Sequence, residues 1–152
     1  IDHGDYPFVT SSHCTTASAL LNGVPPQAIR NVWGVAKIYE TYVGAKDFQP
    51  EDPIFGTIQT LGEEFGATTG RKRQCNWMDL KALMKAVKIN GVTDLVFNKM
   101  DVLEEVGEWK IYNGDHLMEF NDQQHIKSWL TSYVNFSPGD INVYFSGNKD
   151  RI

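Results

Sequence analysis

Residues 66–73 read Gly66-Ala67-Thr68-Thr69-Gly70-Arg71-Lys72-Arg73: two hydroxyls, a glycine turn and three consecutive cations. That combination suits a small anion. Threonine hydroxyls and free backbone N–H groups supply short hydrogen bonds, glycine permits close backbone approach, and the planar arginine fork matches a carboxylate or a phosphate. A lone Arg-Lys-Arg run is more often a solvated basic turn; the glycines and threonines in front of this one favour a site. A second group, Asn98-Lys99-Met100-Asp101, follows the largely apolar run of residues 93–98. Ligands of open α/β sheets bind at the carboxyl ends of strands. An aspartate there can accept from the two adjacent donors on one edge of guanine, the ring N1–H and the exocyclic amine. Against the unprotonated ring nitrogen of adenine the same carboxylate is left unpaired, which costs a few kcal/mol. Lys99 can lay its alkyl stem over the base. Four residues of this kind recur by chance at strand ends, so the pattern gains meaning only from its neighbours.

Two further groups are weaker. Val9-Thr10-Ser11-Ser12 with Thr15-Thr16 could hold a phosphate, although taken alone it reads better as a polar turn. Ser146-Gly147-Asn148-Lys149-Asp150-Arg151 could form a second wall of a nucleotide pocket or a frayed end. The acid pairs Glu63-Glu64 and Glu104-Glu105 read as solvated helix faces, and Trp33, Trp77, Trp109 and Trp129 as core. No phosphate loop of the G-x-x-x-x-G-K-[ST] type is present. The four histidines lack paired ligand spacing, so no metal site is expected. The chain offers groups that recognise nucleotides and anions, and no convincing general base.

The elements that must position these groups alternate in type. Residues 32–43 favour a strand and 44–53 a loop; Pro25-Pro26 can open a short helix, and residues 5–12 read as extended. Ile54 to Phe65 reads as a helix running into the Gly66 turn. Asn76 can cap a second helix, with Trp77, Leu80, Leu83, Met84 and Val87 at helical spacing and Asn90-Gly91 at its end. Residues 93–98, 108–113 and 141–146 read as strands, with a helix over about 122–133. Short connections between alternating strands and helices predict an α/β fold, a mainly parallel sheet with helices on its faces.

The totals narrow the class. With 152 residues, 41% of them hydrophobic and 22% charged, the chain is one globular domain or part of one. A net charge of −5 argues against general binding of nucleic acid or anionic membrane. No run approaches the roughly eighteen apolar residues of a spanning helix. Cys14 and Cys75 form no C-x-x-C pair and read as free thiols of an intracellular, cytoplasmic protein. No signal peptide opens the chain, and without a first methionine it looks cut from a larger protein.

Several motifs in one order resemble the adenylosuccinate synthetase family. They are Asp2-His3-Gly4, Tyr6-Pro7-Phe8-Val9-Thr10-Ser11-Ser12, Val43-Gly44, then Glu64-Phe65-Gly66 through Arg73, Asn76-Trp77-Met78-Asp79, and Lys99-Met100-Asp101-Val102-Leu103. The match runs in register over about residues 1–105 and returns loosely at Ser146-Gly147 and Asp150-Arg151. The resemblance implies a P-loop-NTPase-like architecture, of which residues 1–152 would be the C-terminal portion. It also implies a ligase that joins L-aspartate to inosine monophosphate (IMP) in AMP biosynthesis, with GTP as co-substrate and Mg2+, usually as a homodimer. Thr10 and Arg71 would contact IMP. Ala67, Thr68, Thr69, Gly70, Arg71, Lys72 and Arg73 would close over aspartate. Arg73, Lys99, Met100, Asp101, Ser146 and Gly147 would bind GTP. The family's phosphate loop, with its aspartate base, and its histidine acid have no counterpart here, so no catalytic residue and no metal ligand is assigned. Lys72 and Gln74 interrupt the family's arginine run, and His13-Cys14 replaces a usual single asparagine. Two alternatives stay open: a synthetase-like enzyme using another purine monophosphate such as dGMP, and a non-catalytic guanine-nucleotide-binding module.

Overall fold

The computed structural model describes residues 2–68, 70–136 and 140–147. Thr69 and the Asn148, Lys149, Asp150 and Arg151 of the C-terminal motif lie outside the described residues. Helix α1 (Ala17–Leu21) and a 3-10 turn (Pro26–Ala28) precede two strands, β1 (Trp33–Lys37) and β2 (Tyr39–Tyr42). The single strand expected over 32–43 is thus broken at Ile38, which is fully buried and donates its N–H to Asn98 O at 3.0 Å. The break sends the two strands into different sheets.

Helix α2 (Pro53–Leu61) starts with proline in its first turn and Asp52 as its cap, Oδ1 accepting from Ile54 N–H at 2.9 Å. It stops at Leu61 rather than Phe65: Glu63 takes a left-handed backbone (φ 52°) and Phe65 pairs with Lys72 in an antiparallel bridge. Strand β3 (Gln74–Asp79) and helix α3 (Leu80–Asn90) follow. Asn76 and Trp77 therefore belong to a strand, and Asp79, not Asn76, caps the helix, accepting from the N–H groups of Lys81 and Ala82. Gly91 closes α3 with φ 60°, the left-handed stop expected there.

The remaining elements are β4 (Asp94–Asn98), α4 (Met100–Val106), β5 (Trp109–Asn113), β6 (His116–Phe120), α5 (Gln123–Phe136) and β7 (Asn142–Phe145). Strands β4, β5 and β7 and helix α5 stand where expected; α1, α4 and β6 are additional to the expected pattern. Strand β6 folds back on β5 across Gly114 (φ 65°). Residues 5–12 form turns, with Phe8 N–H on Asp5 O at 2.8 Å, rather than an extended run.

The expected parallel sheet has the order β1-β4-β7, with Trp33 opposite Asp94 and Asp94 opposite Asn142. The second sheet, β2-β3-β5-β6, is mixed: only β3 and β5 run parallel. Ile38, Phe55, Ile58, Met78, Leu80, Leu95, Phe97, Leu103 and Ile111 form a shared core. Trp77 and Trp109 join it and Trp129 packs against it. Trp33 does not: it is 58% exposed and stacks on Tyr144, ring centroids 5.3 Å apart. Strand alternation puts Trp33, Val35, Val96 and Tyr144 on one face of the parallel sheet, while Leu95 and Phe97 enter the core from the other. The thiols are free. Cys14 is exposed; burial, with a lesser push from Glu64, raises the Cys75 thiol to about 12, so it is a packing group.

Candidate functional site

Strand β4 must turn into α4 within one residue, and Lys99 makes that turn in the left-handed region, φ 64°. Its ammonium donates to Gly62 O at 2.9 Å, tying the turn to the end of α2. Met100 starts the helix with its side chain in the core, 2% exposed, and its N–H on Ser146 O at 3.2 Å. It can shape the site but cannot present its side chain to a ligand. Ser146 N–H in turn binds Phe97 O at 2.8 Å, which clamps the end of β7 to the end of β4. A cavity of about 560 Å³ opens at this carboxyl end, with Asn98, Lys99, Asp101, Ser146 and Gly147 in its wall. Gly147 comes so close that an added Cβ would stand 3.3 Å from Asp101 Cβ. Asn98 Oδ1 is buried and has no hydrogen-bond partner among the described residues. An acceptor left over beside an exposed carboxylate can take hydrogen bonds from a ligand that carries N–H donors.

The glycine turn is a closed hairpin. Gly66 N–H binds Arg71 O and Gly70 N–H binds Gly66 O, both at 2.8 Å, with Gly70 at φ 61°. Ala67, Thr68, Gly70, Arg71 and Lys72 are exposed, whereas Arg73 turns partly inward. Its Nη1 donates to Glu64 Oε2 at 3.0 Å, Arg73 N–H binds Glu64 O at 3.0 Å, and Gln59 Nε2 binds Arg73 O at 2.6 Å.

Glu64 corrects the expectation of a solvated acid pair. It is 1% exposed and accepts from Lys37 Nζ at 2.8 and 2.7 Å and from Tyr39 OH at 2.8 Å, besides Arg73. Burial alone pushes its carboxyl up; the hydrogen bonds from Lys37, Tyr39 and Arg73 outweigh this and hold it below the usual carboxylate range. Burial, then the Glu64 carboxylate, drive the Tyr39 hydroxyl far above its ordinary range, so it serves as a donor. Lys37 pairs with Asn98 across the ladder, so the hairpin is anchored to the strand ends that carry the cavity. The expected helix to Phe65 places Glu64 on a solvated face, so the sequence carries no local signal for this role. Glu104 and Glu105 are exposed, as expected.

Thr10 lies in another hollow, walled by residues such as His3, Phe8, Ser12 and His13, and shares no wall with the Asn98–Asp101 cavity. A middle hollow adjoins both, sharing Cys14 and Thr15 with the former and Trp33 and Val35 with the latter. Among the described residues no cluster of three or more His, Cys, Asp or Glu could hold a metal ion. None of their helices is long and apolar enough to cross a membrane.

A parallel sheet with its cavity at the carboxyl strand ends, flanked by helices, places the chain among α/β proteins of P-loop-NTPase-like architecture. A statistical description of adenylosuccinate synthetase matches residues 1–136. The chain is 40% identical over 147 residues to adenylosuccinate synthetase of Oleidesulfovibrio alaskensis, covering 91% of this chain and 34% of that protein. It is 47% identical over 117 residues to the Desulforapulum autotrophicum enzyme, covering 75% and 27%. A fully ligated adenylosuccinate synthetase from Plasmodium falciparum superposes with a TM-score of 0.65 at 29% identity, over 77% of this chain and 30% of that one. The chain belongs to the adenylosuccinate synthetase family. It spans about a third of the length of the curated relatives it matches.

Proposed function

We propose that this chain is the C-terminal portion of an adenylosuccinate synthetase and supplies its guanine and aspartate recognition. The complete enzyme would join L-aspartate to IMP with GTP as co-substrate, as a cytoplasmic homodimer. The observation that carries this reading is the cavity walled by Asn98, Asp101 and Gly147 at the carboxyl end of the parallel sheet, with the 66–73 hairpin tied to the neighbouring strand end through Glu64 and Lys37. The Asp101 carboxylate would accept from the two donors on one edge of guanine, Asn98 Oδ1 would take a further donor, and Gly147 would let the base approach. Arg71 and Arg73 would hold the aspartate carboxylates, with Thr68, Thr69 and backbone N–H groups closing over them. Arg71 would also reach IMP, whose phosphate Thr10 would bind, and Arg73 would reach GTP. Magnesium, which belongs with the GTP phosphates in the complete enzyme, has no ligand set among the described residues.

The test is a change of base. Xanthine carries a carbonyl where guanine carries its amine. Asp101→Asn in the complete enzyme should therefore lose GTP-dependent adenylosuccinate formation by at least about a hundredfold in kcat/KM and gain activity with xanthosine triphosphate. Unchanged preference for GTP over the xanthine nucleotide would overturn the guanine assignment. Arg71→Ala with an unchanged KM for aspartate would overturn that of the hairpin.

A further inference from the structure

Glu64 touches the hairpin and the strand ends, yet no substrate role falls to it. Its two oxygens are already satisfied by Lys37 and Tyr39, the last residue of β1 and the first of β2. Lys37 already balances the charge of the carboxylate and Tyr39 adds a second donor, before Arg73 is counted. The hairpin, for its part, is already fixed through its backbone, by Arg73 N–H on Glu64 O and Gln59 Nε2 on Arg73 O. The side-chain pair from Arg73 Nη1 to Glu64 Oε2 is thus superfluous for holding the chain, and what it fixes is the guanidinium. Arg73 remains 33% exposed and Lys37 24%, and two cations on one carboxylate leave a net positive charge. An arginine has five N–H donors on a long stem that loses rotamer freedom when it binds. One donor spent on a rigid carboxylate orders that stem in advance and leaves the others for an anion.

We propose that Glu64, locked by Lys37 and Tyr39, is a positioning residue that aims the Arg73 guanidinium at the bound substrates. The proposal rests on the reading of Arg73 as a contact to aspartate and GTP.

Steady-state kinetics of the complete enzyme test it, with Glu64→Gln, Arg73→Ala, the double variant and Tyr39→Phe. Arg73→Ala should raise the KM for aspartate or GTP at least about tenfold. Glu64→Gln should raise the same KM about five- to tenfold with kcat within about twofold, and Tyr39→Phe about two- to threefold. The double variant should be no worse than Arg73→Ala, because Glu64 acts through that side chain. An unchanged KM in Glu64→Gln, or additive losses in the double variant, would overturn the positioning role while leaving Arg73 a substrate contact. An unchanged KM in Arg73→Ala would overturn both readings. If thermal melting shows that Glu64→Gln does not fold, Tyr39→Phe alone and combined with Arg73→Ala decide the question in the same way, since that change removes a hydroxyl and no charge.

Discussion

Asp94 and Lys99 stand at opposite ends of β4, and each holds a conformation or a charge that needs an explanation. Asp94 is 3% exposed, and among the described residues its partners are neutral donors: Thr93 Oγ1 donates to it at 2.7 Å, Asn142 Nδ2 at 2.9 Å, and Asn31 Nδ2 and Tyr144 OH at 3.3 Å. The Thr93 bond above all, then that from Asn142, holds its carboxyl below the ordinary 3.8. A carboxyl lowered by folding stabilises the fold above its unfolded value, and that contribution fades as pH falls through the folded value. Asp94→Asn, which places an amide donor among donors, should therefore lower the melting temperature at pH 7. The gap to the parent should shrink toward pH 3; a gap that widens in acid would contradict this account. Lys99 costs strain at φ 64°. Lys99→Gly and Lys99→Ala both remove the amine that binds Gly62 O, but only alanine keeps the strain. Glycine should be the more stable of the two by about 1 kcal/mol in urea unfolding, with nucleotide affinity reduced equally in both.

At the scale of elements, the junction of β3 and α3 shows what could and could not be read from the chain. Trp77, Leu80, Met84 and Val87 match a helical period, but Trp77 is buried because β3 alternates and pairs with both β2 and β5. Pairing with distant strands overrode a local pattern, so the cap moved from Asn76 to Asp79. Asp79→Ala should destabilise by about 1 kcal/mol in chemical unfolding, and Asp79→Ser should restore most of it; equal stabilities for the two would remove Asp79 from the role. The hairpin and the Asn98–Asp101 turn were legible because glycine, threonine and a strand end are local signals. Glu64 was not legible: its burial depends on Lys37 and Tyr39, 27 and 25 residues away. The orphaned oxygen of Asn98 likewise exists only once β1, β4 and β7 are assembled.

For the molecule as a whole, the break at Ile38 shares one run of chain between two sheets, and Lys37 and Tyr39 on either side of it meet at Glu64. The sequence indicated the parallel sheet but not the division, since nothing in residues 32–43 marks Ile38 as a corner. Nor did it indicate that Trp33 would stand outside the core. Parallel sheets are ordinarily covered on both faces. Here Trp33, Val35 and Tyr144 are 58%, 66% and 43% exposed on one face of the sheet, and β1 is an edge strand. This feature decides how the 152-residue polypeptide behaves as a colloid. A flat aromatic patch beside an open strand edge is sticky despite a net charge of −5. In sedimentation at rising concentration the weight-average mass should climb above 17.2 kDa, and salt, by screening repulsion, should steepen the climb. Trp33→Lys should hold the chain at its monomer mass; a variant that sediments like the parent would show that the self-association starts elsewhere.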